Sequence, residues 1–562
     1  MRHRGRGPAL GPALTSCDGL SDRGRRRRRD GVVDADSQLA HDRRWWTLAV
    51  LCLSLTVISI DNTILNVALP SIVQSLNARG SELQLLIDGY TIVFACLLLT
   101  AGSLGDKLGR KGILTVGLAL FGVFSAMAAF STSATMLITA RALMGIGGAC
   151  IYPSTLSILT NTFHDPKERA RAIGMWAGVS GIGVAIGPLG GGLLLEHFWW
   201  GSVFLVNLPI CALAIVAGRF FVPTTTRDPE HALDPLGAIL SIGGLMGLLY
   251  AIIEVPDRGW SDARVVTSFA LGALLLGSFA WWETHSEHPM LDLRFFRNPR
   301  FSAASATITL TFFALYGSTF LLTQYFQFVL RYSPLKAGAL TAPVAIGIMF
   351  TAPQAPKLVE RIGTKLVVVA GLSIVAVGLF LYSVETVMSS IVGGGSVRLL
   401  FGVGMGLVMA PATESIMGSL PKAKAGIGSA VNDTTRQAGG ALGVAVIGSV
   451  FAARYHQAIR VPTGVPDAAR PLVRDSIGKA LDASAIYRLP SDISEAVHTA
   501  ASRAFVSGMR LSAWVGAAIV VGAACIAYRF LPARAERAAA GLDTEFDAEA
   551  ARLGAVEDEL LA

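Results

Sequence analysis

The sequence predicts an all-α polytopic membrane protein, and three observations predict it. Of 562 residues, 52% are hydrophobic and only 15% charged, where a soluble globular chain carries about a quarter charged residues. The apolar residues gather into runs of about 20, the length at which a helix crosses roughly 30 Å of hydrocarbon. The 60 glycines would weaken soluble helices, but small residues let membrane helices approach closely.

The charge and cysteines agree with this class. Much of the formal charge of +8 lies in the run Arg25 to Arg29 and in short loops between apolar runs, so we expect a cytoplasmic membrane face and no nucleic-acid partner. Five of the six cysteines (Cys52, Cys96, Cys150, Cys211, Cys525) sit inside apolar runs without paired spacing and read as small buried hydrophobes. No metal and no cofactor is expected. Residues 1–42, rich in Arg, Gly and Asp, read as a disordered basic cytoplasmic tail. The first apolar run is too long for a signal peptide and has no small-residue cleavage site.

Apolar runs between charged or turn-rich breaks give fourteen spans. They lie near 45–69, 84–104, 113–131, 135–160, 171–195, 201–221 and 235–255, then 265–284, 303–328, 337–355, 366–384, 391–416, 429–453 and 509–531. Loops after even-numbered spans hold about 16 Lys/Arg against about 5 after odd-numbered spans, which places both termini in the cytoplasm. Trp45 and Trp46 stand where an interfacial anchor is expected. One long loop, about 455–508, falls outside; its stretch from Ser491 to Phe505 has helical apolar spacing.

The chain repeats itself. Leu104-Gly-Asp-Lys-Leu-Gly-Arg-Lys111 is echoed by Leu358-Val-Glu-Arg-Ile-Gly-Thr-Lys365, and Arg141-x-x-x-Gly145-x-Gly147 by Arg398-x-x-x-Gly402-x-Gly404. Two motifs recurring in order predict two homologous six-span halves, 43–222 and 301–531. An inserted helix pair and linker, 223–300, separates them, and 532–562 forms a second cytoplasmic tail. A transporter with its cavity between the halves follows from that architecture.

Three motifs carry a resemblance. The first, Gly102-Ser-Leu-Gly-Asp106-Lys-Leu-Gly109-Arg110-Lys111, has a glycine that permits a tight turn and an anion suited to a helix N-terminus or a basic side chain. The second, Gly181-x-Gly-x-Ala-x-Gly187-Pro188-x-Gly190-Gly191, holds a proline that cannot donate to the helix and a bare glycine face that permits a kink and tight packing. The third, Asp61-Asn62-Thr63-x-x-Asn66-x-Ala68-Leu69-Pro70, places an acid inside span 1. Together they resemble the major facilitator superfamily, specifically its fourteen-span drug:proton antiporters, over about 45–531. The resemblance implies the major facilitator fold, two six-helix bundles plus two inserted helices. It also implies a first motif that latches the two halves in one conformation, and a second that is found in antiporters.

Intramembrane charges complete the candidate site. Asp61 follows Trp45 by about 24 Å of helix, Asp88 precedes Asp106 by about 27 Å, and Arg141 lies at a comparable depth in span 4. Isolated charges there cost several kcal/mol, so the three imply a shared aqueous cavity. Asp61 with Arg141 reads as the proton-coupling pair or as a structural ion pair. Asp88 reads as the counter-charge of a cationic substrate, with Tyr90 and Phe94 beside it, or as an interfacial residue. Glu414, Asp433 and Arg436 are secondary candidates, the last two spaced to pair along one helix. The family usually has glutamine where this chain has Met144, which removes a polar relay at that position and spares Arg141.

No phosphate-binding loop and no soluble catalytic domain is visible, so export is not expected to be powered by an ATPase of this chain, and an enzyme or sensor is argued against. The expectation is a monomeric exporter in the bacterial inner membrane that trades protons for amphipathic, cationic drugs. A narrow-substrate exporter of an antibiotic, lipid or metabolite is the alternative, and a nutrient symporter fits the second motif less well.

Overall fold

The computed structural model describes residues 43–65, 80–224, 234–286, 293–384, 391–420 and 425–533, with a few isolated positions between them. The expected tail at 1–42 and nearly all of that at 532–562 lie outside the described residues, as do some helical side chains. The first seven long helices are α1 (Arg43–Leu65), α2 (Gly80–Leu108), α3 (Arg110–Ala129), α4 (Ala134–Thr162), α5 (Pro166–His197), α6 (Ser202–Phe221) and α7 (Pro235–Arg258). The other seven are α8 (Ala263–His285), α9 (Pro299–Val329), α10 (Pro334–Thr351), α11 (Thr364–Ser383), α12 (Ile391–Met417), α13 (Ala425–Ala458) and α14 (Ser491–Phe530).

Local sequence explains where many of these helices begin. Asp165-Pro166, Asp234-Pro235, Asn298-Pro299 and Ser333-Pro334 each open a helix with a side-chain acceptor on a backbone N–H of the first turn. Proline follows at the position whose N–H has no helical partner.

Among the described residues, twelve helices are long and apolar enough to cross a membrane. A bent pair, α10 with the short helix Ala355–Ile362 at 53°, makes a thirteenth. Fourteen spans were expected, and the described residues give twelve to thirteen; α5, 32 residues long, is not among them, and several of its side chains lie outside the described set.

One boundary differs from expectation. The stretch from Ser491 to Phe505, expected to have helical spacing, is the first part of α14, which begins ahead of the predicted span. No proline interrupts 491–530, and Val497, Ala501, Ala504 and Phe505 are buried, so helix and burial propagate together. The rest of that loop carries two short helices, Arg470–Asp475 and Ile477–Ile486.

The sequence repeats recur as repeated contacts. Gly109 (φ 95°) and Gly363 (φ 87°) occupy equivalent turns before α3 and α11, in a region open to glycine. A Cβ on Gly145 of α4 would meet the Tyr90 carbonyl of α2, and one on Gly402 of α12 would meet the Val344 carbonyl of α10. Two residues on, Gly147 approaches Gly117 of α3 as Gly404 approaches Gly371 of α11. Each glycine therefore lets the same pair of helices touch backbone to backbone in each half.

Close approaches between the halves lie toward the face that carries Lys107, Arg110, Lys111 and Arg169, here the basic face. A Cβ on Gly102 of α2 would lie 2.8 Å from Ala430 Cβ of α13. One on Gly174 of α5 would lie 2.5 Å from the Ala352 carbonyl oxygen after α10. The inserted α7 packs against both α2 and α13.

Candidate functional site

Span 1 delivers its acid to the interior of the first six helices. Asp61 is fully buried and forms an ion pair with Arg141 of α4, itself 2% exposed. The second carboxylate oxygen accepts from Asn207 Nδ2 of α6 at 3.1 Å. Asn207 also donates to Ser125 Oγ of α3 at 3.0 Å, and Ser125 donates to the Phe204 carbonyl at 2.9 Å. Four helices thus converge on one carboxylate, satisfying the requirement that a buried charge be paired and hydrogen-bonded.

From this pair an aromatic path runs toward the other half. The Arg141 guanidinium lies 4.3 Å above the Tyr90 ring, which stacks on Phe94 at 5.8 Å. Phe94 meets Tyr152 edge-on at 5.7 Å, and Tyr152 meets Trp176 at 5.8 Å. Trp176 of α5 donates to Thr155 at 3.1 Å. Tyr90 and Phe94 are each 1% exposed, so in this conformation neither faces open space, unlike the expectation that they flank a ligand. Asp88 lies on α2, and its side chain is outside the described set.

Asp433 and Arg436 are buried on α13 but do not pair with each other. Asp433 accepts from Asn432 at 2.9 Å, while Arg436 donates to Thr413 of α12 at 2.9 Å. Their i,i+3 spacing allowed a pair along the helix; instead the guanidinium turns toward Trp176 and Phe312. Glu414 ties the halves together at the basic face, accepting from Arg169 Nε and Nη2 of α5 at 3.1 and 3.0 Å. Arg300 of α9 stands near enough to act electrostatically on Glu414.

The loop between α2 and α3 works at the same face. Asp106 pairs with Arg110 at 2.7 Å. A Cβ on Gly426, in the first turn of α13, would fall 2.7 Å from Asp106 Oδ2, so the carboxylate rests at a helix N-terminus where negative charge is stabilised. Lys111 donates to the Val222 carbonyl at 2.6 Å, at the end of α6.

The α5 glycines have a specific partner. A Cβ on Gly183 would collide with Ser59, and one on Gly187 with Thr63, both on α1. Thr63 Oγ1 donates to the Gly183 carbonyl at 3.0 Å. Ser59 and Thr63 bracket Asp61, so the glycine face seats the turn that presents the acid. Gly191 is buried, Gly190 has open space beside it, and the surroundings of Gly181 and Pro188 are outside the described set.

Residues 51–444 match the family model of the Major Facilitator Superfamily. The chain belongs to that superfamily. As a major facilitator protein it is 36% identical to the multidrug efflux pump LfrA of Mycolicibacterium smegmatis, over 86% of this chain and 95% of that one. It is 34% identical to the methyl viologen resistance protein SmvA of Salmonella typhimurium, over 83% and 93%. It is 31% identical to the tetracenomycin C resistance and export protein of Streptomyces glaucescens, over 88% and 93%. The same fold is found in the human organic anion transporter MFSD10, at TM-score 0.59 and 13% identity, over 86% of this chain and 99% of that one.

Sequence reasoning missed Asn207, Ser125, Trp176 and Arg169. A signal for the first existed: Asn207 is the one amide within the apolar run of α6, and a polar side chain there needs an internal partner.

Proposed function

We propose that this major facilitator protein exports amphipathic, cationic compounds in exchange for protons by alternating access. The observation that carries the reading is Asp61, a fully buried carboxylate joined to Arg141 and Asn207 in a polar cluster of four helices. Two relatives whose names record multidrug efflux and methyl viologen resistance support the cationic, drug-like cargo. The relative named for tetracenomycin C export favours a second reading, a single antibiotic as cargo.

In this reading the basic face is cytoplasmic, both termini lie there, and the chain works as a monomer in the bacterial inner membrane. The contacts of Asp106 and Glu414 hold that face closed in this conformation. Comparing energised efflux of dyes and antibiotics in cells with and without the protein tests the proposal. Lower accumulation of lipophilic cations supports it. Higher accumulation would make the protein an importer.

Two expected outcomes follow. Asp88, on the outer part of α2, supplies the counter-charge of the cargo, since a buried cation without an acidic partner is costly and a neutral ligand needs none. Asp88→Ala is therefore expected to lower export of divalent lipophilic cations about tenfold while neutral compounds change less than twofold, measured in the same cells. Equal losses for both ligand types at normal membrane levels would remove Asp88 from the cargo path.

Glu414→Gln removes a partly buried charge pair between the halves, worth about 1–2 kcal/mol. Spin labels at the exposed Leu108 and Ile362 read the separation of the halves at the basic face. The long-distance population is expected to rise about five- to tenfold relative to wild type. An unchanged distribution would deny Glu414 a latching role.

A further inference from the structure

Arg436 is 3% exposed, and its Nε and Nη1 have no hydrogen-bond partner. A buried cation in that state is costly unless something else stabilises it. Here Nη2 donates to Thr413, Asp433 acts on the guanidinium electrostatically, and its face lies against aromatic rings. Its guanidinium carbon lies 5.1 Å from the ring centroid of Trp176 on α5 and 5.1 Å from that of Phe312 on α9. The two rings come from different halves of the molecule, so the guanidinium bridges the interface. Phe312 continues into Tyr316 at 5.9 Å, a ring 41% exposed although it packs on Gly440 of α13, one turn from Arg436. Cations bind such faces best when desolvated.

Close by is a carboxylate with spare capacity: Asp433, 1% exposed, has an Oδ2 without a hydrogen-bond partner. Asp433 and Arg436 are neighbours on one helix face. A change of arginine rotamer therefore has somewhere to go.

We infer that Arg436 is a tethered stand-in for cargo: with the basic face closed, its guanidinium fills the aromatic seat that holds an organic cation when that face is open. The inference rests on the cationic-export reading and adds a means of release to it. Closing the basic face brings Trp176 onto Arg436 and expels the cargo. In the loaded state Arg436 turns to Asp433 and leaves the seat between Trp176 and Phe312 to the cargo. A neutral compound does not compete for the seat, because it lacks the charge that the ring faces attract.

Titrating the purified full-length transporter in lipid nanodiscs with tetraphenylphosphonium tests this. Arg436→Gln removes the competing charge, so its affinity for the cation is expected to rise about tenfold while its export rate falls. Arg436→Lys retains a competing charge and is expected to bind as wild type does. Adding Trp176→Leu to Arg436→Gln is expected to abolish the gain, and chloramphenicol, a neutral probe, to bind all variants alike. Equal or weaker cation binding by Arg436→Gln would overturn the inference, as would an equal gain for chloramphenicol. Failure of wild-type cells to export tetraphenylphosphonium would count against the cationic-export reading alone, provided Arg436→Gln gains affinity. Absence of binding by both proteins would overturn the two together.

Discussion

Asp61→Asn is expected to reduce proton-driven efflux to the level of cells lacking the protein, a loss of at least about a hundredfold. The substitution keeps the shape of the side chain but removes the exchangeable proton and leaves Arg141 buried without its counter-ion. Stranding a buried charge costs about 3–5 kcal/mol, so the variant is also expected to unfold at lower temperature. The two effects are separable. Arg141→Gln added to Asp61→Asn removes the stranded charge and is expected to recover much of the thermal stability, as replacement of whole buried pairs does elsewhere. Transport is not expected to return. Active, stable double variants would make the pair an ordinary structural ion pair.

Gly187→Leu is the second large effect. Even a Cβ at this position would meet the Thr63 side chain, with Ile64 N only 3.0 Å away, so a leucine must push α5 off α1. Overpacking of a tight contact costs about 1–3 kcal/mol, and here the displaced turn is the one that carries Asp61. Coupled export is expected to fall more than about twentyfold, whereas cargo binding changes less than about threefold. Gly190→Ala, beside open space, is expected to be near wild type. Measuring binding and gradient-driven export on the same preparations checks this. Equal behaviour of the two glycine variants would reduce the α5 glycines to general packing.

Much of the fold was legible because hydropathy is local: apolar runs locate helices without knowledge of their neighbours. The spacing of Arg141, Gly145 and Gly147 was repeated at Arg398, Gly402 and Gly404, and the contacts show why: each glycine admits one backbone. The predicted span starts later than α14 because polar residues from Ser491 lower the hydropathy of a helix that continues unbroken. Within the candidate site, comparable depth brought Asp61 and Arg141 into one argument. Their fellow members were harder to read. Asn207 and Ser125 enter through helices whose rotation the sequence does not state. Arg169 and Glu414 meet although 245 residues apart. Arg436 had an acid at helical spacing, and only three-dimensional packing shows that aromatic rings claim it instead.

The central claim is that Asp61 exchanges a proton as cargo moves. Purified protein in liposomes holding a pH-sensitive dye tests it most directly: a lipophilic cation is added on one side and proton movement across the bilayer is recorded. The account predicts that cation flux drives protons in the opposite direction in wild type and that Asp61→Asn shows neither movement. Cation transport by Asp61→Asn at the wild-type rate with the same proton countermovement would contradict it.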